Sequence, residues 1–192
     1  TEGIRLSELI KPNEEKAVFT AKILDETVEK WQTLFDKKEG GPNRAPKFPL
    51  PNNYQFLLRY SHLHRRKDIL DHVNFTLKKI AFGGIYDHLG GGFSRYSVDS
   101  QWKVPHFEKM LYDNAQLVSL YSEAYRLMEE PVFKQVVYET LEFIGKEMTA
   151  ENGAFYSALD ADSEGKEGKY YVWEKEDLEK ILKDKFLIFS DY

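Results

Sequence analysis

Apolar residues recur along most of this chain at the three- and four-residue spacing of amphipathic helices, and in two late stretches they cluster as strands do. Val18, Ile23, Val28, Trp31, Leu34 and Phe35 predict a first helix from Glu14 to Lys37, with Asn13 as its N-cap and Glu14 and Glu15 at the positive end of the dipole. A second helix follows Asn53, with Tyr54, Leu57, Leu58 and Tyr60 inward. A third covers Asp68 to Phe82 and stops at Gly83-Gly84, a pair suited to ending a helix. A fourth starts near Pro105, a residue tolerated in a first turn, and continues to Met128. A fifth runs from Pro131 to Met148. Ala154–Leu159 and Lys169–Trp173 then read as the two strands of a small hairpin, joined by the acidic segment Asp160–Gly168. A short helix follows from Lys175 to Lys183.

A faint internal repeat runs through this order. Gly83-Gly-Ile-Tyr86 resembles Gly153-Ala-Phe-Tyr156, and Gly40-Gly41 closes an earlier helix in the same way. The unit is helix, helix, elaborate loop. Such pairs stack side by side, because one pair alone cannot bury its apolar face.

Composition narrows the picture. The chain has 192 residues, 42% hydrophobic and 15% aromatic, enough for a core. A net charge of −5, with no basic run longer than His64–Lys67, argues against a nucleic-acid surface. With no cysteine, disulfides and thiolate chemistry are excluded for these residues. No apolar run approaches the ~20 residues of a membrane span, and the first residues lack the features of a signal peptide. A cytoplasmic setting is the expectation. The opening at Thr1, without Met, suggests an excised fragment.

The stretch from Gly83 to Asn114 is too long and too rich in glycine, aromatics and charge for a plain helix connector. Ile85, Tyr86, Phe93, Tyr96, Trp102 and Val104 give it apolar anchors, so it is expected to be ordered. On a helix begun at Pro105, His106, Lys109, Asp113 and Gln116 share one azimuth that turns apolar at Leu120, Ala124 and Leu127. That face is expected to enter a buried region with ionisable groups at its mouth; the plainer alternative is a structural Lys109–Asp113 pair. Arg44 and Lys47, set among prolines and glycines, are expected to pair with carboxylates such as Asp87 or Asp160, or to grip a ligand. Asp160–Gly165 begins like an EF-hand loop but fails at Tyr171, so it is read as a solvated acidic turn or as carboxylates facing the mouth. His62, His64 and His72 lack metal-ligand spacing, and no nucleophile elbow, phosphate loop or dinucleotide motif is present. No metal and no cofactor is expected.

Three segments carry a resemblance: GGPNRAPKFP, the run from Gly83 through Leu117, and FYSALDADSEGKEGKYYVW. They resemble signature segments of the thioredoxin-domain-containing protein family that includes spermatogenesis-associated protein 20. The resemblance implies an all-α fold: helical hairpins of a partial (α/α)6 toroid of the six-hairpin glycosidase type, with a small β-hairpin. Residues 1–192 would be the N-terminal half of that toroid, in a parent that also holds a thioredoxin-like domain. The toroid is also similar to that of the N-acylglucosamine 2-epimerases and cellobiose epimerases. Their inner-helix pattern looks like Lys109, Ala115-Gln116 and Ala124-Tyr125-Arg126. Those enzymes carry a functional arginine where this chain has Gln116, and their catalytic histidines would fall beyond Tyr192, so the resemblance does not imply epimerase activity here.

The functional expectation is a carbohydrate-active domain working by acid/base chemistry on a sugar, in which paired carboxylates flank the reacting bond. The expected acid/base residues are His106, Glu108, Asp113, Asp160 and Asp162. The expected ligand contacts are Lys47, Asp87, Arg95, Tyr96, Trp102, Lys109, Tyr112 and Gln116. The alternative is a non-enzymatic scaffold serving the thioredoxin-like domain. A sugar ligand, that domain as partner, and self-association through exposed inner-helix surface are expected; nucleic acid and membrane are not.

Overall fold

The computed structural model describes residues 20–190. Helix α1 (Ala21–Gln32) belongs to a unit of its own, ending at Thr33; residues 34–190 lie in a second unit. The Thr20 hydroxyl accepts from the Ile23 N–H and caps α1. Asn13 and residues 14–19 lie outside the described residues. The predicted extension to Lys37 fails because Phe35 leaves the helical path to form a β-bridge with Pro42.

The second unit is built on four helices: α2 (Pro51–Leu63), α3 (Lys67–Ala81), α4 (Leu111–Met128) and α5 (Pro131–Glu147). Helix α2 packs on α3 and α4 on α5, while α2 also lies against α4 and α3 against α5. Two helical hairpins thus stand side by side in two layers, the arrangement the repeat predicts. Leu57, Leu58, Ile69, Val73, Leu77, Ile80, Leu117, Leu120, Tyr121, Phe133 and Val136 fill the space between them. The Tyr121 hydroxyl donates to the Leu77 carbonyl at 2.8 Å, tying α4 to α3. Helices α6 (Lys175–Leu182) and α7 (Phe186–Ser190) follow.

Three two-stranded ribbons join this frame. Strand β1 (Tyr96–Ser97) pairs with β2 (Pro105–His106), β3 (Lys109–Met110) with β4 (Ala158–Leu159), and β5 (Asp162–Ser163) with β6 (Lys166–Glu167), all antiparallel. The single predicted hairpin is therefore corrected. Ala158–Leu159 pairs back to Lys109–Met110, Asp162–Glu167 closes on itself, and Lys169–Trp173 is not a strand. The fourth predicted helix also begins later, at Leu111. Residues 105–106 and 109–110 are extended because strand partners satisfy their backbone, Tyr96–Ser97 about ten residues back and Ala158–Leu159 about 50 ahead, partnerships local periodicity does not register.

The glycines serve close approach as much as helix termination. A Cβ on Gly84 would sit 1.9 Å from the Lys103 carbonyl oxygen, so the chain after α3 can pass the 102–103 segment only with no side chain there.

Candidate functional site

Two loops of the second unit have the same construction. In the first, Asp36 N–H donates to the Gly41 carbonyl at 2.9 Å and Gly40 N–H to the Asp36 carbonyl at 3.0 Å. In the second, Asp87 N–H donates to Gly92 at 3.0 Å and Gly91 N–H to Asp87 at 2.9 Å. Gly40, Gly41, Gly91 and Gly92 all have φ between 69° and 78°, which only glycine adopts readily. Each aspartate turns one oxygen to two backbone N–H groups of its loop and the other to a buried lysine. Lys47 Nζ lies 2.7 Å from Asp36 and 2.7 Å from the Gly40 carbonyl. Lys109 Nζ lies 2.8 Å from Asp87 and 2.9 Å from the Gly91 carbonyl.

This geometry corrects several expectations. Lys47 is fully buried against Asp36 and pairs with neither Asp87 nor Asp160. Lys109 reaches Asp87, not Asp113, and its ammonium lies 4.5 Å from the Phe143 ring centroid. Trp102 has no exposure, and its indole N–H donates to the Glu39 carbonyl at 3.0 Å, so its faces are closed to a sugar. His106 sits on β2, off the helix that was to align it with Asp113. Gln116 lies on the exposed face of α4. That face carries Tyr112, Ala115, Gln116, Ser119 and Arg126.

The remaining residues fall into two neighbouring places. At the head of α4, Arg95 binds Glu108 at 3.0 Å, and His106 stands between Glu108 (3.6 Å) and Glu167 (2.7 Å). Tyr96 stacks on His106 with ring centroids 4.9 Å apart, and Phe48 packs on Tyr96 at 4.6 Å. Arg95 also reaches the Tyr112 hydroxyl. Beside it, Arg95, Asp113 and Gln116 face Phe48, Leu50, Asn52 and Asn53 across a hollow of ≈ 200 Å³. Burial raises the Asp113 carboxyl above the usual range, with Arg95 opposing and Glu108 reinforcing. His106, Glu108, Asp113, Arg95, Tyr96, Tyr112 and Gln116 thus form one group.

The second place is a hollow of ≈ 610 Å³ whose walls include Asp87, Lys109, Phe143, Asp160, Tyr170 and Tyr171. Burial pushes the Asp87 carboxyl up, but the Gly90 N–H, the Lys109 ammonium and the Leu89 N–H outweigh it and hold it below the usual range. Asp160 accepts the Asp162 N–H at 3.1 Å and stays exposed. Asp162 faces Glu167 across the β5–β6 ribbon and joins neither hollow.

Sequence reasoning missed Glu167, Asn114 and Phe48. Glu167 holds His106 across 61 residues of chain. Asn114 is fully buried; it accepts the Phe93 N–H at 2.7 Å and donates to the Phe93 and Met110 carbonyls, fixing the glycine loop to α4. An amide in the first turn of an amphipathic helix, on its apolar side, was the available signal. Among the described residues no group of three or more His, Asp or Glu side chains is placed to hold a metal ion, and no helix is long and apolar enough to cross a membrane.

No family profile matches the chain. Human spermatogenesis-associated protein 20 is 42% identical over 163 residues, which are 80% of this chain and 21% of that protein. The chain is a homologue of spermatogenesis-associated protein 20. It spans about a fifth of the length of the curated relatives it matches. Among solved structures it is similar to a sugar epimerase from a ruminal bacterium, with a TM-score of 0.59 and 22% identity over 69% of this chain and 37% of that one. A cellobiose 2-epimerase from Bacillus thermoamylovorans gives 0.62 and 16%, over 72% and 40%. At such identities the likeness is one of fold: the two hairpins are part of an (α/α) toroid of the kind these epimerases have.

Proposed function

We propose that this chain supplies part of a carbohydrate-binding mouth to a longer protein, with acid/base chemistry on a sugar carried by the group at the head of α4. The observation that supports this most is a hollow bordered by Arg95, Asp113, Gln116 and the Phe48 ring, with Glu108 paired to Arg95, His106 beside Glu108 and Tyr96 packed on Phe48. Hydroxyl-rich ligands need interleaved donors and acceptors with an apolar ring face, and this set offers both. The shared fold with two sugar epimerases agrees with the reading. Asp87, Lys109 and Asp160 border the second hollow, while Asp162 would act only through the ribbon that carries Glu167. A cytoplasmic setting belongs to the same reading.

Saturation-transfer NMR of the complete protein with a panel of mono- and disaccharides tests it. Transfer to at least one neutral sugar is expected; none across the panel rejects the reading. A second reading has its own observation. Lys47–Asp36 is a buried pair, and the nearly unexposed Lys109 is joined to Asp87, as in a rigid scaffold. On that reading the chain serves a thioredoxin-like domain of the same protein, and a pull-down would recover redox partners while no sugar binds.

A further inference from the structure

One oxygen at the head of α4 stands apart from the rest. Asp113 lies in the first turn of the helix, and its Oδ2 is shut from water with no hydrogen-bond partner. The charged groups facing it are Arg95, from the segment before β1, and Glu108, from the link between β2 and β3. The residues across the hollow, Phe48 to Asn53, bring no charge. Arg95 donates from Nη1 to Glu108 at 3.0 Å and also reaches Tyr112, and makes no hydrogen bond to Oδ2.

A carboxylate shares its charge between both oxygens. Sealing one of them without a donor leaves part of that charge unsolvated, which is costly. A carboxylic acid avoids the problem. Oδ2 then becomes a carbonyl oxygen, whose missing partner costs less than that of an anion, and the proton goes to Oδ1. Asp113 lines the hollow, and of its two oxygens only Oδ2 is both sealed and without a partner. Nearby Glu108 disfavours a second negative charge.

We propose that Asp113 works in this hollow as a carboxylic acid, offering its O–H to a ligand oxygen, while Glu108 is held by Arg95 at 3.0 Å. The assignment rests on reading the head of α4 as a sugar site, and it separates the roles of two carboxyls that the sequence leaves equivalent.

The test is a carboxyl-carbon NMR titration of the protein labelled at the aspartate γ-carbon, with the Asp113 signal assigned by Asp113→Asn, and by Asp113→Ser should the first variant not fold. The expected midpoint for Asp113 lies above the ordinary carboxylate range and moves down in Glu108→Gln, which removes the neighbouring anion and frees Arg95. A midpoint within or below the ordinary range, or one that Glu108→Gln leaves in place, overturns the proposal. No ligand is needed for this measurement. A high midpoint in a protein that binds no sugar upholds the acid and removes the sugar reading; a low midpoint in a protein that binds sugar does the reverse.

Discussion

Lys47 and Lys109 are charged side chains with almost no exposure, and each depends on one aspartate. Removing one member of a buried pair strands the other, at a cost of roughly 3–5 kcal/mol, whereas replacing both with apolar residues of similar size is often close to neutral. Asp87→Ala should therefore lower stability by ~3 kcal/mol in urea melts, and Asp87→Leu with Lys109→Met should lose clearly less than the sum of the two single changes. A strictly additive cycle would mean the pair is not coupled. His72 gives a pH-dependent case. Its ring stacks on Phe35 at 3.8 Å, and burial pulls its pKa down to about 4 from 6.5, with Asp36 opposing and Lys47 adding a little. The unfolded chain then binds the extra proton more readily than the folded one, so stability is complete above pH 6.5 and falls as the pH drops toward 4. With partial exposure discounted, the loss is on the order of 2 kcal/mol. His72→Phe should flatten the stability profile across that window, and an unchanged slope would assign the effect elsewhere.

At the scale of elements, the Asp-x-x-x-Gly-Gly loop is the device that repeats. A third, shorter copy follows α5, where Thr149 bridges Phe155, and Ala150 stands in place of the aspartate, with no lysine to hold. The repeat was visible in the sequence, but on the wrong alignment: Phe35-Asp36 corresponds to Tyr86-Asp87, not Gly83-Gly84 to Gly153-Ala154. The four core helices were legible because a 3.6-residue period is a local signal; their predicted limits shift by one residue at α3 and α5, by three at the start of α2, and by about six at Pro105. There the period misled. His106 and Lys109 do fall on a helical azimuth in the sequence, yet their backbone is taken by Tyr96 and Leu159. The site was legible by residue type and not by arrangement. Asp113 with Gln116 came from a correct helix, whereas the closure of Lys109 on Asp87 and of His106 on Glu167 depends on contacts 22 and 61 residues apart. Gly84→Ala probes the element scale directly. Its methyl group would collide with the Lys103 carbonyl, and the strain should cost ~1–3 kcal/mol in a thermal or urea melt. Gly153→Ala meets nothing within 4 Å and tests the cost of its left-handed backbone alone.

At the scale of the molecule, the two stacked hairpins leave apolar side chains in the open. Tyr138 and Leu141 on α5, Tyr170 and Trp173 after the ribbons, and Leu187, Ile188 and Phe189 on α7 are all exposed. Surface of that kind marks contact with another body, so the isolated chain should self-associate; a monomer by light scattering at tens of micromolar would contradict that. The polar mouth at the head of α4 makes a different demand, since it should hold a sugar whatever covers the apolar faces. Tyr112 and Gln116 are the positions to alter, because both lie on the exposed face of α4 and carry little of the core. A ligand that binds only the folded state at a hundredfold excess over its Kd stabilises by about 2.7 kcal/mol, a Tm rise of several degrees. The direct measurement is that sugar-induced Tm shift in the complete protein, compared between the wild type and Tyr112→Ala and Gln116→Ala. The expected result is a rise of a few degrees with one neutral sugar that both variants lose while keeping their own unliganded Tm; a shift that survives both substitutions, or no shift with any sugar, would contradict a carbohydrate site at this mouth.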